Sequence, residues 1–291
     1  MKDQFTKQWI IENALDVLKN YEAGVLTIRA LHYQLVSRGM TNDIQHYKRV
    51  VNATGDARWR GLMSFNAFSD RDRYLACETE AEPSVLEDKI DRAKQQVKAW
   101  MTTYYLNRWE NQTYYPEVFI EKKALEGVFI KPCEHLGIAL GACKGYPSLT
   151  FLHDATKRFM EAERRGQKPI IIYFGDYDPS GEDIPRALEE NIKALGCEAI
   201  EVRRVALKEQ QVRAWNLPPA PTKLTDSRTA NWDGIGQVEL DAVKPEILIQ
   251  LLQDTIDSIF DYDLKDELDR REGIERDLFR EELKRYVREE L

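Results

Sequence analysis

The sequence predicts an α/β protein, a small helical module followed by a parallel sheet with helices on both faces. Three observations carry this expectation. Apolar runs such as "EVFI", "IALGAC" and "PIIIYF" are separated by amphipathic stretches of helical period, as in strands buried on both faces. Ahead of them lie two short helix patterns joined by a polar turn. A length of 291 residues is enough for two modest cores.

Taken in order, apolar positions Ile10, Ile11, Ala14, Leu15 and Leu18 predict a helix over residues 8–23. Thr27 is a plausible N-cap for "IRALHYQLVSR", which ends at Gly39. After the turn "MTND", a second helix runs from about Ile44 to Arg60, and "GLMSFNAFSDRDR" supplies a strand or irregular segment. Two helices with a tight turn and a β-like tail suggest a helix-turn-helix or winged-helix module over residues 1–82. "PSVLEDKIDRAKQQVKAWMTTYYLNRW" reads as one linker helix within residues 83–116. Strands "EVFIE", "IALGAC", "PIIIYFGD" and "AIEVRRVAL" then alternate with helices "KKALEGVFIKPCEHLG", "SLTFLHDATKRFMEAERRG" and "GEDIPRALEENIKALG", giving a Rossmann-like domain over residues 117–215. Past the Pro-rich "NLPPAPTKLTDSR", residues 216–291 form a mostly helical extension, with helix from about Pro245 onward.

Composition narrows the function classes. No apolar run approaches the roughly 18 residues that cross a bilayer, and "MKDQFTKQWIIENAL" lacks a signal-peptide core. A cytoplasmic protein with no membrane partner is expected. Cys77, Cys133, Cys143 and Cys197 contain no CxxC pair, and we read them as reduced thiols without a zinc site. No P-loop and no G-x-G-x-x-G is present. The net charge of −8 argues against nucleic acid, but its distribution does not. Gly24–Arg73 carries eight Lys/Arg against four Asp/Glu, whereas Leu251–Leu291 carries eight against 14. A locally basic face can bind DNA in an acidic chain, since counterion release depends on the contacting surface. The plainer alternative is a solvated helix face.

The chemistry concentrates at strand ends. In open α/β sheets, ligands sit outside the carboxyl ends of the strands. Asp176 and Asp178 follow "PIIIYFG", and Glu121 closes "EVFI". If those strands are neighbours, three carboxylates converge, raising each other's pKa unless a cation neutralises them. Hard oxygen donors of this kind favour Mg²⁺. Ser180 and Asp183 have the spacing of a capping box for the next helix, whose N-terminus would lie near phosphate. The bland alternative is that the aspartates cap a loop and Glu121 is a surface residue.

The order "FIEKKALEGVF", "CKGYPSLTFLHDATKRF", "GDYDPSGEDI" resembles the Toprim domain of the topoisomerase VI A subunit, shared with the meiotic double-strand-break transesterase and the short Mini-A proteins. The resemblance covers most of residues 117–205. It implies that Glu121, Asp176 and Asp178 bind the metal. It also implies a preceding winged-helix domain with a catalytic tyrosine in a motif close to Arg-x-x-Tyr-Tyr. "TIRALHYQLV" supplies Arg29, His32 and Tyr33, with histidine replacing the first aromatic.

Helical geometry bears on Tyr33 independently. Ile28, Leu31 and Leu35 define an apolar stripe, and at 100° per residue Tyr33 lies well over 90° from its centre, beside Arg29. A free phenol, with a pKa near 10, is a poor nucleophile without help. By resemblance, Arg29 favours the phenolate and contacts phosphate, and the product is a 5′-phosphotyrosyl link. His32 is a candidate proton acceptor or a packing residue. Lys48, Arg49 and Lys144 are expected to join Arg29 in contacting DNA phosphates, while Lys122, Lys123 and the "SDRDR" turn at Ser69–Arg73 are open between DNA contact and solvation or ion pairing. The family builds each site from two subunits, which implies a homodimer with Tyr33 far from Asp176 in its own chain. Strand passage would need a separate ATPase partner. Two alternatives stand beside this transesterase: a Toprim nuclease or nickase acting through water, and a non-catalytic DNA-binding dimer.

Overall fold

The structure, a computed structural model, describes residues 4–21, 26–68, 85–219 and 236–289. The chain forms two compact units, each drawn from two stretches: Met1–Asp72 with Tyr114–Ile259, and Arg73–Thr113 with Phe260–Leu291.

In the first unit, three helices pack together: α1 (Lys7–Lys19), α2 (Ile28–Val36) and α3 (Ile44–Trp59). Each begins at a side-chain cap, Thr6, Thr27 and Asp43, of which Thr27 is the one the sequence predicts. Ile10, Ile11 and Ala14 of α1 bury against Leu31 and Leu35 of α2 and Val50, Ala53 and Ala57 of α3. A bridge from Leu26 to Phe68 closes the module. "GLMSFNAF" contains a 3₁₀ turn, Phe65–Ala67. The "SDRDR" turn, Cys77 and the expected domain boundary at residue 82 lie outside the described residues.

The rest of this unit is α/β. Strands β1 (Tyr114–Ile120), β2 (Ala139–Ala142), β3 (Lys168–Phe174) and β4 (Glu201–Ala206) form a parallel sheet in the order β2-β1-β3-β4. Between them run α5 (Glu126–Leu136), α6 (Leu149–Arg164) and α7 (Pro179–Ala194), followed by α8 (Glu209–Ala214) and α9 (Pro245–Asp257). Every residue of β3 after Lys168 is buried, as a central strand with two covered faces requires. On one face Phe119, Ile171 and Tyr173 pack with Phe159 of α6 and Ile184, Leu188 and Ile192 of α7. On the other, Phe174 meets Phe129 of α5 with ring centroids 4.7 Å apart.

The second unit contains α4 (Leu86–Trp100) and α10 (Tyr262–Glu289). The predicted linker helix stops at Trp100, because Thr102 and Thr103 turn their hydroxyls back onto the Ala99 and Trp100 carbonyls, each at 2.7 Å. The chain beyond then lies on α10. Tyr104 donates to Glu275, the Leu106 amide donates to Glu272 at 2.9 Å, and Trp109 packs edge-on to Phe260. The helical region expected from about Pro245 onward consists of two helices, α9 and α10, with Asp261 at the break held by Gln112. Among the described residues, no helix is long and apolar enough to cross a membrane.

Candidate active site at the carboxyl ends of β1 and β3

Parallel register sets Ile120 opposite Phe174, and the Glu121 amide donates to the Phe174 carbonyl at 2.9 Å. Glu121 and "GDYD" therefore leave the same edge of the sheet side by side. The Glu121 carboxylate accepts the Asp176 amide at 2.8 Å and the Tyr173 hydroxyl at 3.4 Å. Two glycines allow this close approach. A Cβ on Gly175 would stand 2.8 Å from Glu121 Oε2, and one on Gly181 would stand 2.2 Å from the Asp176 carbonyl oxygen. Arg204 of β4 donates to the Asp176 and Gly181 carbonyls at 2.8 and 2.9 Å, and Tyr177 pairs with Val238. The loop is thus fixed from both sides.

The cap of α7 differs from the expected one. Asp178, not Ser180, accepts the Gly181 amide, at 2.6 Å. Pro179 explains the shift: proline fits the first helical position, which makes the residue before it the cap.

Asp176 is almost fully buried. Its Oδ1 accepts the Leu240 amide at 2.8 Å, and its Oδ2 faces Lys122 Nζ at 2.9 Å. The same ammonium lies 3.0 Å from Asp241 and 3.2 Å from Glu239. Glu239 in turn accepts the Tyr33 hydroxyl at 2.9 Å and Arg29 Nε at 2.6 Å, with a second Arg29 nitrogen on its other oxygen. A continuous chain of charges therefore runs from α2 to the sheet edge. Tyr33, expected far from Asp176 in its own chain, is joined to it through Glu239 and Lys122. Tyr33 does lie off the Leu31/Leu35 core face, as the helical geometry predicts. It is nonetheless only 3% exposed, since α2 packs against the 3₁₀ turn Leu240–Ala242 and Glu239 just before it takes the phenol.

Burial pushes the Asp176 carboxyl up to about 7, with Glu121 adding to the shift and Lys122 opposing it. Burial also raises Glu121, and the charge of Asp178 adds to it. At Glu239, burial works the other way from its partners and loses: Lys122 and Arg29 hold it down at about 2. Lys122 stays firmly protonated despite burial, because Asp176, Asp241 and Glu239 surround it. The Tyr33 phenol is pushed well above its ordinary value by burial and then by Glu239, with Arg29 opposing.

The remaining sequence candidates are dispersed. His32 packs against the Tyr33 and Tyr47 rings, its Nε2 is 3.3 Å from Asn42 Oδ1, and burial lowers its pKa. Arg49 donates to the Phe5 carbonyl. Lys48 on α3 and Lys144 just past β2 are exposed, the latter with φ of 52°. Lys123 opens the 3₁₀ turn after β1.

As hard oxygen donors, Glu121, Asp176 and Asp178 fit a divalent cation by type, and the raised carboxyls of Glu121 and Asp176 are groups a cation would relieve. Their arrangement is less complete, since Asp176 is turned onto Lys122. Among the described residues, no group of three or more His, Cys, Asp or Glu is disposed to hold an ion. Sequence reasoning missed Glu239 and Asp241. Their trace is the alternation in "VELDAV", where two acids flank a buried leucine directly after a stretch without periodicity. Scans against protein-family models, curated proteins and solved structures found no match to this chain.

Proposed function

We propose that the protein is a DNA-binding, Mg²⁺-dependent DNA strand-cleaving enzyme of Toprim and winged-helix type, acting by tyrosine transesterification as a homodimer. The observation that carries this reading is that Glu121 and Asp176 leave the ends of two adjacent parallel strands side by side, with Asp178 two residues further on, and that Arg29 and Tyr33 are linked to Asp176 through Glu239 and Lys122. Glu121, Asp176 and Asp178 would hold the metal, with Asp176 exchanging Lys122 for it. Bound there, Mg²⁺ would offset charge on the phosphodiester and the departing 3′ oxygen. Arg29 is beside the Tyr33 phenol and favours its ionised form. The Tyr33 oxygen would attack phosphorus, forming the 5′-phosphotyrosyl bond as the bond to the 3′ oxygen breaks, and the phenol proton would end on that 3′ oxygen. Lys48, Arg49 and Lys144 would meet the DNA backbone, and a separate ATPase partner would be required for strand passage.

A second reading has its own support. Tyr33 is buried, engaged by Glu239 and hard to ionise, which favours a nuclease or nickase in which water is the nucleophile.

Incubation with supercoiled DNA and Mg²⁺, followed by denaturation with and without protease, tests both. Protein-linked ends are expected in the wild type. In Tyr33→Phe they should fall by about 10³-fold or more. Cleavage that persists in Tyr33→Phe without any linked end selects the hydrolytic reading. Cleavage that survives Asp176→Ala excludes this site as its source, whereas wild-type protein that binds DNA and cleaves none leaves the non-catalytic DNA-binding dimer.

A further inference from the structure

The Glu239 carboxylate is gripped the way a phosphate would be. The Arg29 guanidinium straddles both of its oxygens, the Tyr33 hydroxyl donates at 2.9 Å, and Lys122 stands 3.2 Å away. A planar fork, a phenol and an ammonium around one anion form a donor set suited to an oxyanion. Nor is the seat closed to solvent, since the Arg29 side chain is 44% exposed while that of Glu239 is 15% exposed. Neighbouring backbone holds Glu239 in position: Val238 pairs with Tyr177, and the Leu240 amide caps Asp176. Beside it, Asp241 is buried with Oδ1 lacking any partner among the described residues, so the acids around Lys122 are not fully matched by donors.

We infer that Arg29, Tyr33 and Lys122 form a phosphate-binding seat that Glu239 fills as an internal substitute, to be displaced by a phosphate group. In identifying that group as a DNA phosphodiester the inference rests on the function proposed above; the seat itself does not. Occupation by Glu239 keeps Arg29 and the Tyr33 hydroxyl engaged until the ligand arrives. It is thus an autoinhibitory contact as well as a binding site.

The test is binding in the presence of EDTA, so that no cleavage is required. Inorganic phosphate is followed by calorimetry and a labelled double-stranded oligonucleotide by anisotropy, at one fixed salt concentration. Glu239→Gln keeps the side-chain shape and removes the charge. It should bind both probes about tenfold tighter than wild type, the scale of one charge-assisted hydrogen bond. Adding Arg29→Ala should abolish the gain, and the charge-matched surface change Glu190→Gln should not reproduce it. If Glu239→Gln does not fold, Glu239→Asp, which draws the carboxylate back by one methylene, should give a smaller gain of the same sign. Unchanged or weaker binding in the folded variant overturns the inference, as does a gain that survives Arg29→Ala. A gain for phosphate but not for the oligonucleotide keeps the seat and rejects DNA as its occupant. Linked ends in the cleavage assay with no gain here would sink this inference alone, whereas a gain without any cleavage would sink only the proposed enzyme.

Discussion

Glu239 and Asp176 share Lys122 as a partner, yet their carboxyl groups are displaced in opposite directions, and the balance of burial against charge decides each. Glu239 has two cations beside it, and its folded pKa of about 2 lies below its ordinary 4.5. Its stabilising contribution is therefore complete above about pH 4.5 and is lost as pH falls through about 2. Asp176 is more deeply buried, with Glu121 beside it, and its folded value of about 7 lies above 3.8. Folding there favours the protonated form, so that contribution is complete below pH 3.8 and lost as pH rises through about 7. Melting temperatures across pH should register both. Glu239→Gln should be less stable than wild type at neutral pH, with the gap closing in acid. Asp176→Asn should gain on wild type as pH rises from about 4 to about 8. A pH-independent difference for either variant would show that its charge is not felt as described. These residues were unevenly legible. Glu121, Asp176 and Asp178 stand at the ends of apolar runs that announce themselves, whereas Lys122 and Asp241 are 119 positions apart and meet only once the chain has folded.

At the scale of elements, the loop from Gly175 to Gly181 sets the geometry of the site, and its two glycines mark where backbone and carboxylate come closest. The Gly181→Ala change would put a methyl carbon 2.2 Å from a backbone oxygen that Arg204 also holds, leaving no flexible neighbour to yield. We expect a loss of about 1–3 kcal/mol, the usual cost of overpacking, measured by denaturant unfolding. Since the same methyl would stand 3.2 Å from Glu121, any divalent-cation affinity should fall with it. A fully stable Gly181→Ala would mean that the loop can relax away from α7. The strands and helices of this region were readable because β3 is uniformly apolar and α7 strongly amphipathic. Helix ends were less so. Ser180 fits a capping pattern by spacing, but Pro179 moves the cap to Asp178, and the linker helix ends where threonine hydroxyls compete for carbonyls.

Across the whole molecule, sequence order and compact units diverge. The helical module and the sheet belong to one unit, and the stretch after α4 shares the other with α10. Periodicity is local and carries no record of which distant stretches pair, so this grouping was not readable beforehand. It has a direct test. A chain ended at Ile259 would strip Trp109, now 2% exposed, of its Phe260 neighbour. Tryptophan fluorescence should shift to the red while the thermal transition of the sheet-containing unit stays within a few degrees of the full chain. An unshifted spectrum would show that Trp109 owes its burial to other residues. The proposed homodimer is checked on the full chain by sedimentation, where a single monomeric species at micromolar concentration would count against it. One further consequence follows from the strand pairing of Val238 with Tyr177 and the amide that Leu240 lends to Asp176. Because Glu239 sits between them, whatever prises it from Arg29 tugs on the loop at Asp176 and Tyr177. An anion arriving on α2 and a metal arriving at the sheet would then feel each other, and each must alter the other's affinity by an identical factor.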